Sequence, residues 1–96
     1  MQRPYELVMV VSPEVKDDAV PAVIERVTKY VSDHAGTVEK QDLWGKRRLA
    51  YPINRFREGQ YVVAHFQLEP SATAELESQL RISEDIIRHL LVRRDE

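Results

Sequence analysis

The residues of this chain best suited to chemistry are cations, and they are clustered. Lys46, Arg47, Arg48, Arg55 and Arg57 stand in a stretch that contains no Asp or Glu. The whole chain has 14 basic and 16 acidic residues among its 96, so the positive surplus is local and offset elsewhere. Guanidinium forks match phosphate oxygens and stack on bases, so the chemistry on offer is docking to a polyanion. Arg3, Arg88, Arg93 and Arg94 add cations from the two chain ends. The acids Glu14, Asp17, Asp18, Glu25, Asp33, Glu75 and Glu77 fall on the two segments that read as helices. The expectation is a cationic sheet side and an anionic helix side, with Arg3, Arg48 and Arg88 converging on one surface. Tyr5 and Trp44 can add stacking, although 7% aromatic content argues against stacking as the main mode of binding. The bland alternative is a charged edge strand that only prevents aggregation.

Other chemistries find little support. His34, His65 and His89 are scattered, with no i, i+4 pair for a metal and no neighbouring carboxylate motif. His65 on a strand face is the one candidate general base, and a half-buried strand histidine is the plainer reading. Asp17-Asp18 and Glu84-Asp85 read as helix-end and turn charges rather than metal ligands. The three glycines, Gly36, Gly45 and Gly59, are too far apart for a phosphate loop. No nucleophile elbow is present. Cysteine is absent, which excludes disulfides and thiolate metal sites, and no metal or cofactor is expected.

Six elements must position these residues. Tyr5–Val11 is a nearly all-apolar strand, placed inside a sheet, with Leu7, Met9 and Val11 toward the core and Val8 and Val10 opposite. Ser12-Pro13-Glu14 reads as a helix start. Val20, Val23, Ile24, Val27, Tyr30 and Val31 then form an apolar stripe, with Gly36 as a left-handed cap. Residues 37–53 read as a long second strand, faltering around Asp42–Gly45 and confined to a sheet edge by Pro52. Residues 54–59 read as a turn, and Gln60–Leu68 as a third, cleanly alternating strand. Pro70-Ser71 opens a short helix lined by Ala72, Leu76 and Leu80, and residues 86–92 form a last strand of ambiguous register.

Strand, helix, strand, strand, helix, strand is the split β-α-β or ferredoxin-like plan, an α+β fold. It places a four-stranded antiparallel sheet under two helices within one domain of residues 1–96. The sheet's other face is left open, and Val8, Val10, Tyr61 and Val63 would form an apolar patch there that awaits a partner. The longest apolar run, Leu7–Val11, is far below the ~20 residues of a membrane span, and nothing at the start reads as a leader.

At this level the residues resemble a known family. Arg-Pro-Tyr-Glu at 3–6, Ser-Pro-Glu at 12–14, Gly36 with Val38-Glu39-Lys40, the block from Trp44 to Ile53, Glu58-Gly59-Gln60-Tyr61, residues 75–81, and Ile87-Arg88-His89-Leu90 with Val92-Arg93 carry the likeness. Together they resemble the bacterial small-subunit ribosomal protein S-six family. The resemblance implies a ferredoxin-like fold, no catalysis, and a cytoplasmic place in the 30S subunit. It implies pairing with small-subunit protein S-eighteen and joint binding to the central domain of 16S rRNA. Carried onto matching positions, it suggests Arg3, Tyr5, Arg48, Arg88 and Arg93 as first choices for RNA contact, with Lys46, Arg47 and Arg55 next. Three other readings compete with it. An RRM would want more aromatics than Tyr61 beside Val63 and His65. A small oxygenase or isomerase would need a histidine in a deep cavity. A regulatory amino-acid-binding domain would want a glycine-rich turn where Ser12-Pro13 stands.

Overall fold

A computed structural model describes residues 1–53 and 55–94. The opening residue of the expected turn, Asn54, and the chain end Asp95-Glu96 lie outside the described residues. The strands β1 (Arg3–Val11), β2 (Thr37–Ile53), β3 (Phe56–Leu68) and β4 (Ile86–Arg93) form one antiparallel sheet in the order β2-β3-β1-β4. The helices α1 (Val20–Asp33) and α2 (Thr73–Ile82) complete the ferredoxin-like plan. The strand with the longest apolar run, β1, takes a central position, and β2, which carries Pro52, takes an edge. Pro52 lies deep within β2, where its missing N–H is tolerated at an edge, whereas the proline of central β1, Pro4, stands at the strand's start.

The core lies between sheet and helices. Leu7, Met9 and Val11 from β1 and Val62, Ala64, Phe66 and Leu68 from β3 meet the α1 stripe and Leu76 and Leu80 of α2. Burying each large apolar side chain contributes roughly 1.5–3 kcal/mol, so this layer supplies most of the driving force. Tyr30 reaches across it to donate its hydroxyl to the carbonyl of Ala72 at 2.6 Å. Burial, and after it the negative charge of Glu75, raises the Tyr30 pKa above the ordinary phenol value. A raised folded-state pKa means the native state holds its proton longer, so this contribution is intact below pH ~10 and lost as pH rises through the folded pKa. Tyr30→Phe is expected to lose about 0.5–1.5 kcal/mol at neutral pH and to flatten the decline in alkali. Urea unfolding of both proteins at neutral pH and above pH ~10 checks this; an equally steep alkaline loss in the variant would contradict it.

Three local features differ from the sequence-based expectation. First, Ser12-Pro13-Glu14 caps a turn and does not start the helix. The Ser12 hydroxyl accepts the Glu14 N–H at 3.1 Å, and Lys16 is extended before a short 3-10 turn at Asp17–Ala19. The proline in the first turn of α1 is Pro21. Second, the left-handed residue after α1 is Ala35 (φ 62°), while Gly36 donates its N–H to Val31 O at 2.8 Å. Glycine is needed at 36 because a Cβ there would sit 2.4 Å from the backbone oxygen of Gln67. Third, β3 begins at Phe56, so most of the expected turn is strand.

The ambiguous register of β4 is settled by an irregularity at Val10/Val11. Ile86 pairs with core-facing Val11, whereas Arg88, Leu90 and Val92 pair with Val10, Val8 and Glu6 on the open face. The extra residue, Ile87, shifts the alternation.

Candidate nucleic-acid interface

The β2–β3 hairpin outruns the rest of the sheet. The last pairing of β1 with β3 is Val11 with Gln60, but β3 goes on to pair Gly59 with Arg47, Glu58 with Arg48 and Phe56 with Ile53. The cationic block therefore stands on a two-stranded arm beyond the sheet, between Arg47 and Arg57. Between the Arg48 and Ile53 pairings, β2 has the larger number of residues, including Pro52, and the ladder shifts there. Surplus residues on one strand bend it and increase its twist. That bend carries Tyr51 from one sheet edge to β4 at the other, where Arg88 Nη1 donates to its hydroxyl at 2.7 Å. The Arg88 guanidinium also lies over the Tyr51 ring, 5.8 Å from its centre.

A second such pair lies at the base of the arm, on the sheet edge. The ladder shifts between Leu43 and Gly45, setting Trp44 apart from the regular pairing, and Arg47 lies 5.7 Å from the Trp44 ring centre. Gly45 takes a φ of 86° there, a left-handed conformation that suits glycine. Lys46 faces Glu58 at a loose 3.9 Å. Arg47, Arg48, Arg55 and Arg57 meet no carboxylate among the described residues. Lys29, by contrast, is paired with Asp33 at 3.1 Å on α1, and Arg26 is paired with Asp85.

The structure gathers part of the expected set and disperses the rest. Lys46, Arg47, Arg48 and Arg55 follow one another from the base of the arm outward, and Arg88 on β4 joins them through its contact with Tyr51. Arg3 pairs with Leu68 and Arg93 with Tyr5, at the opposite end of the sheet. Arg3 and Arg48 are thus roughly 30 Å apart along β3, at about 3.3 Å per residue. The expected single surface joining Arg3, Arg48 and Arg88 is not formed. Cations near the chain ends read as one group in sequence, but antiparallel pairing returns them to the far end. Arg94 at that end is paired with Glu39 at 2.6 Å.

Tyr5 is also misplaced by the sequence reading. It is 7% exposed and its ring packs against Phe66 at 6.1 Å, so it serves the core and offers no face to a base. The open-face patch needs a similar correction. Val8 and Tyr61 are half-buried, but Val10 and Val63 are only 4% and 7% exposed, shielded by neighbouring side chains on the sheet. The apolar surface on that side is carried instead by Leu90 and Val92, at 57% and 44% exposure. A shallow cavity of about 180 Å³ lies there, lined by Val8, Val10, Tyr61, Arg88, His89 and Leu90. The sequence reading missed Leu90 and Val92 as surface residues because the register of β4 was undetermined.

Among the described residues the three histidines are each engaged by a neighbour and none lies with the others. His65 is held by Glu6 at 2.8 Å, His89 faces Glu77 at 3.6 Å, and His34 stacks on Tyr30 with ring centres 4.0 Å apart. The RRM alternative also fails on placement, since Val63 is buried and His65 is engaged where stacking rings would be needed.

Comparison with known proteins points one way. Residues 4–93 match the family model described as Ribosomal protein S6. The chain is 47% identical over 94 residues to the small ribosomal subunit protein bS6 of Exiguobacterium sibiricum, covering 98% of each. It is 44% identical to that of Desulforamulus reducens, covering 98% of this chain and 99% of the relative. Its fold superposes on the 30S ribosomal protein S6 of Thermotoga maritima with a TM-score of 0.91 at 33% identity, covering 98% of this chain and 89% of that one.

Proposed function

We propose, from the premise that this chain belongs to the Ribosomal protein S6 family, that it binds the central domain of 16S rRNA jointly with small-subunit protein S-eighteen. It is a non-enzymatic structural constituent of the small ribosomal subunit, and therefore a cytoplasmic ribosome component. The observation that carries the RNA reading is the arm: Arg47, Arg48, Arg55 and Arg57 project beyond the sheet without a carboxylate partner among the described residues. Arginines in a folded protein are usually paired with acids or spread over the surface; a bare cluster on a stiff hairpin suits phosphates.

The need for a second protein has an electrostatic reason. RNA affinity tracks the number of phosphates neutralised, and this chain has a net charge of −2. A handful of usable cations gives weak binding alone, and a basic partner on the same RNA supplies the remainder. Leu90, Val92, Val8 and Tyr61, on the sheet face next to the arm, provide the apolar surface for that partner. A partner docked there would lie beside the RNA-facing arm.

Two measurements test this reading. The pair should retain a central-domain transcript on a filter at salt where an unrelated RNA is lost; equal retention of both would refute joint recognition. Leu90→Asp should weaken the heterodimer by roughly 10-fold or more in titration calorimetry, because a carboxylate would be forced into an apolar contact. Leu90 is exposed, so the variant should fold normally. Unchanged affinity would move the partner to another surface. Val63, nearly buried, is unsuitable for this test because a charge there would unfold the sheet.

A further inference from the structure

We infer that the arm and its base read RNA through two aromatic–guanidinium pairs, Trp44 with Arg47 and Tyr51 with Arg88, which form a platform for unpaired nucleotides. The inference rests on the RNA reading above and adds the nucleic-acid class and the residues that select it. Trp44 and Tyr51 are 52% and 55% exposed, large apolar rings turned to solvent on a segment with no acid between Leu43 and Arg57. Each carries a guanidinium within 6 Å of its ring centre, at 5.7 and 5.8 Å. The hydrogen bond from Arg88 to the Tyr51 hydroxyl holds that cation and ring together, so part of the entropy cost of ordering them for a ligand is already met.

Geometry separates this arrangement from a purely electrostatic patch. A patch that only neutralises phosphates has no use for exposed rings, which cost solubility. Bases in an RNA duplex are stacked on one another and present no free face, whereas bases in loops and bulges can stack on Trp, Tyr or Arg planes. The platform is also built from distant parts of the chain. Tyr51 is brought to Arg88 by the bend at Pro52, and the hydroxyl contact of 2.7 Å fixes the arm to β4. Gly45, paired opposite Tyr61, takes a φ of 86° next to Trp44, which side-chain-bearing residues rarely adopt. The partner-docking face and the platform thus adjoin at Arg88, Leu90 and Tyr61.

Trp44 is the only tryptophan in the chain, so its emission reports this site alone. The full chain at low salt is titrated with a fluorescein-labelled oligoadenylate and separately with a labelled, blunt RNA duplex. Both label anisotropy and tryptophan emission are followed. The oligoadenylate is expected to quench Trp44 and to bind more tightly than the duplex. Trp44→Ala and Tyr51→Leu should each lower oligoadenylate affinity roughly 5- to 100-fold. The slope of log affinity against log salt should stay as in the parent, because no phosphate contact is removed. Trp44→Phe should retain most of the affinity. If oligoadenylate binds with Trp44 emission unchanged, or Trp44→Ala binds it equally well, the platform is refuted while RNA binding stands. A preference for the duplex has the same consequence. If neither RNA binds, the RNA reading itself fails and the platform with it.

Discussion

Replacing Lys46, Arg47, Arg48 and Arg55 together by glutamine should lower the RNA affinity of the heterodimer on the order of 10³–10⁴-fold at about 50 mM salt, with the loss shrinking toward 1 M. The size follows from counterion release. Each phosphate neutralised contributes about 0.7–0.9 to the slope of log affinity against log salt, so four contacts account for roughly three units. These side chains stand on an arm outside the core, and among the described residues only Lys46 is within ion-pair distance of a carboxylate, Glu58 at 3.9 Å. Stability should consequently change little, within about ±0.5 kcal/mol for each exposed site. Filter binding across a salt series measures both intercept and slope. A weaker complex with an unchanged slope would mean that the four residues act through arm geometry. An unaffected complex would remove the arm from the interface altogether.

The second large effect concerns the scaffold. Phe66→Ala should destabilise the fold by about 3–5 kcal/mol, since it leaves a cavity in a tightly packed layer. Phe66 is fully buried on β3, cross-strand from Tyr5 and Val38, with the Tyr5 ring centre 6.1 Å away. A domain of this length has only about 5–15 kcal/mol in total, so the variant would spend much of its time near its unfolding transition. Leu90→Ala, an equally apolar change on the open face, should cost under about 0.5 kcal/mol because Leu90 is 57% exposed. Urea midpoints of the two variants compare the faces directly. Similar losses would mean that the open face contributes to the core, which would count against its role as a docking surface.

Several parts of the fold were legible from residue order because they depend on short-range periodicity. The α1 stripe from Val20 to Val31 repeats at helical steps, and all of its members but Ile24 are buried. The alternation of Val62, Ala64, Phe66 and Leu68 correctly separated core from open face on β3. Pro52 identified an edge strand, and the family likeness of the Trp44–Ile53 block identified the ribosomal assignment. Local signals were less dependable at element ends. Ser12 and Pro13 carry the chemistry of a helix start, yet Ser12 donates its backbone N–H to Asp85 O at 2.8 Å and ends β1 in a turn. The contact with Asp85 is made across the chain and leaves no trace in the local sequence.

The sequence by itself determined where charge and apolarity lie along the chain: a basic stretch at 46–57, apolar strands and a ferredoxin-like order of elements. Those properties belong to single residues and their near neighbours, which a linear reading sees in full. The helix bounds then left Glu14, Asp17 and Asp18 outside α1, which carries two acids and two bases. Only the tertiary structure decided which cations share a site. Antiparallel pairing sent Arg3 and Arg93 to one end of the sheet and Arg48 to the other, and one surplus residue in β4 turned Arg88 and Leu90 to the open face. The surplus length of β2 then carried Tyr51 to Arg88. Register and bulges act through hydrogen bonds between residues far apart in sequence, and a slip of one residue reverses every face. Position along the chain therefore fixes the chemistry available, and strand register fixes which of it is brought together.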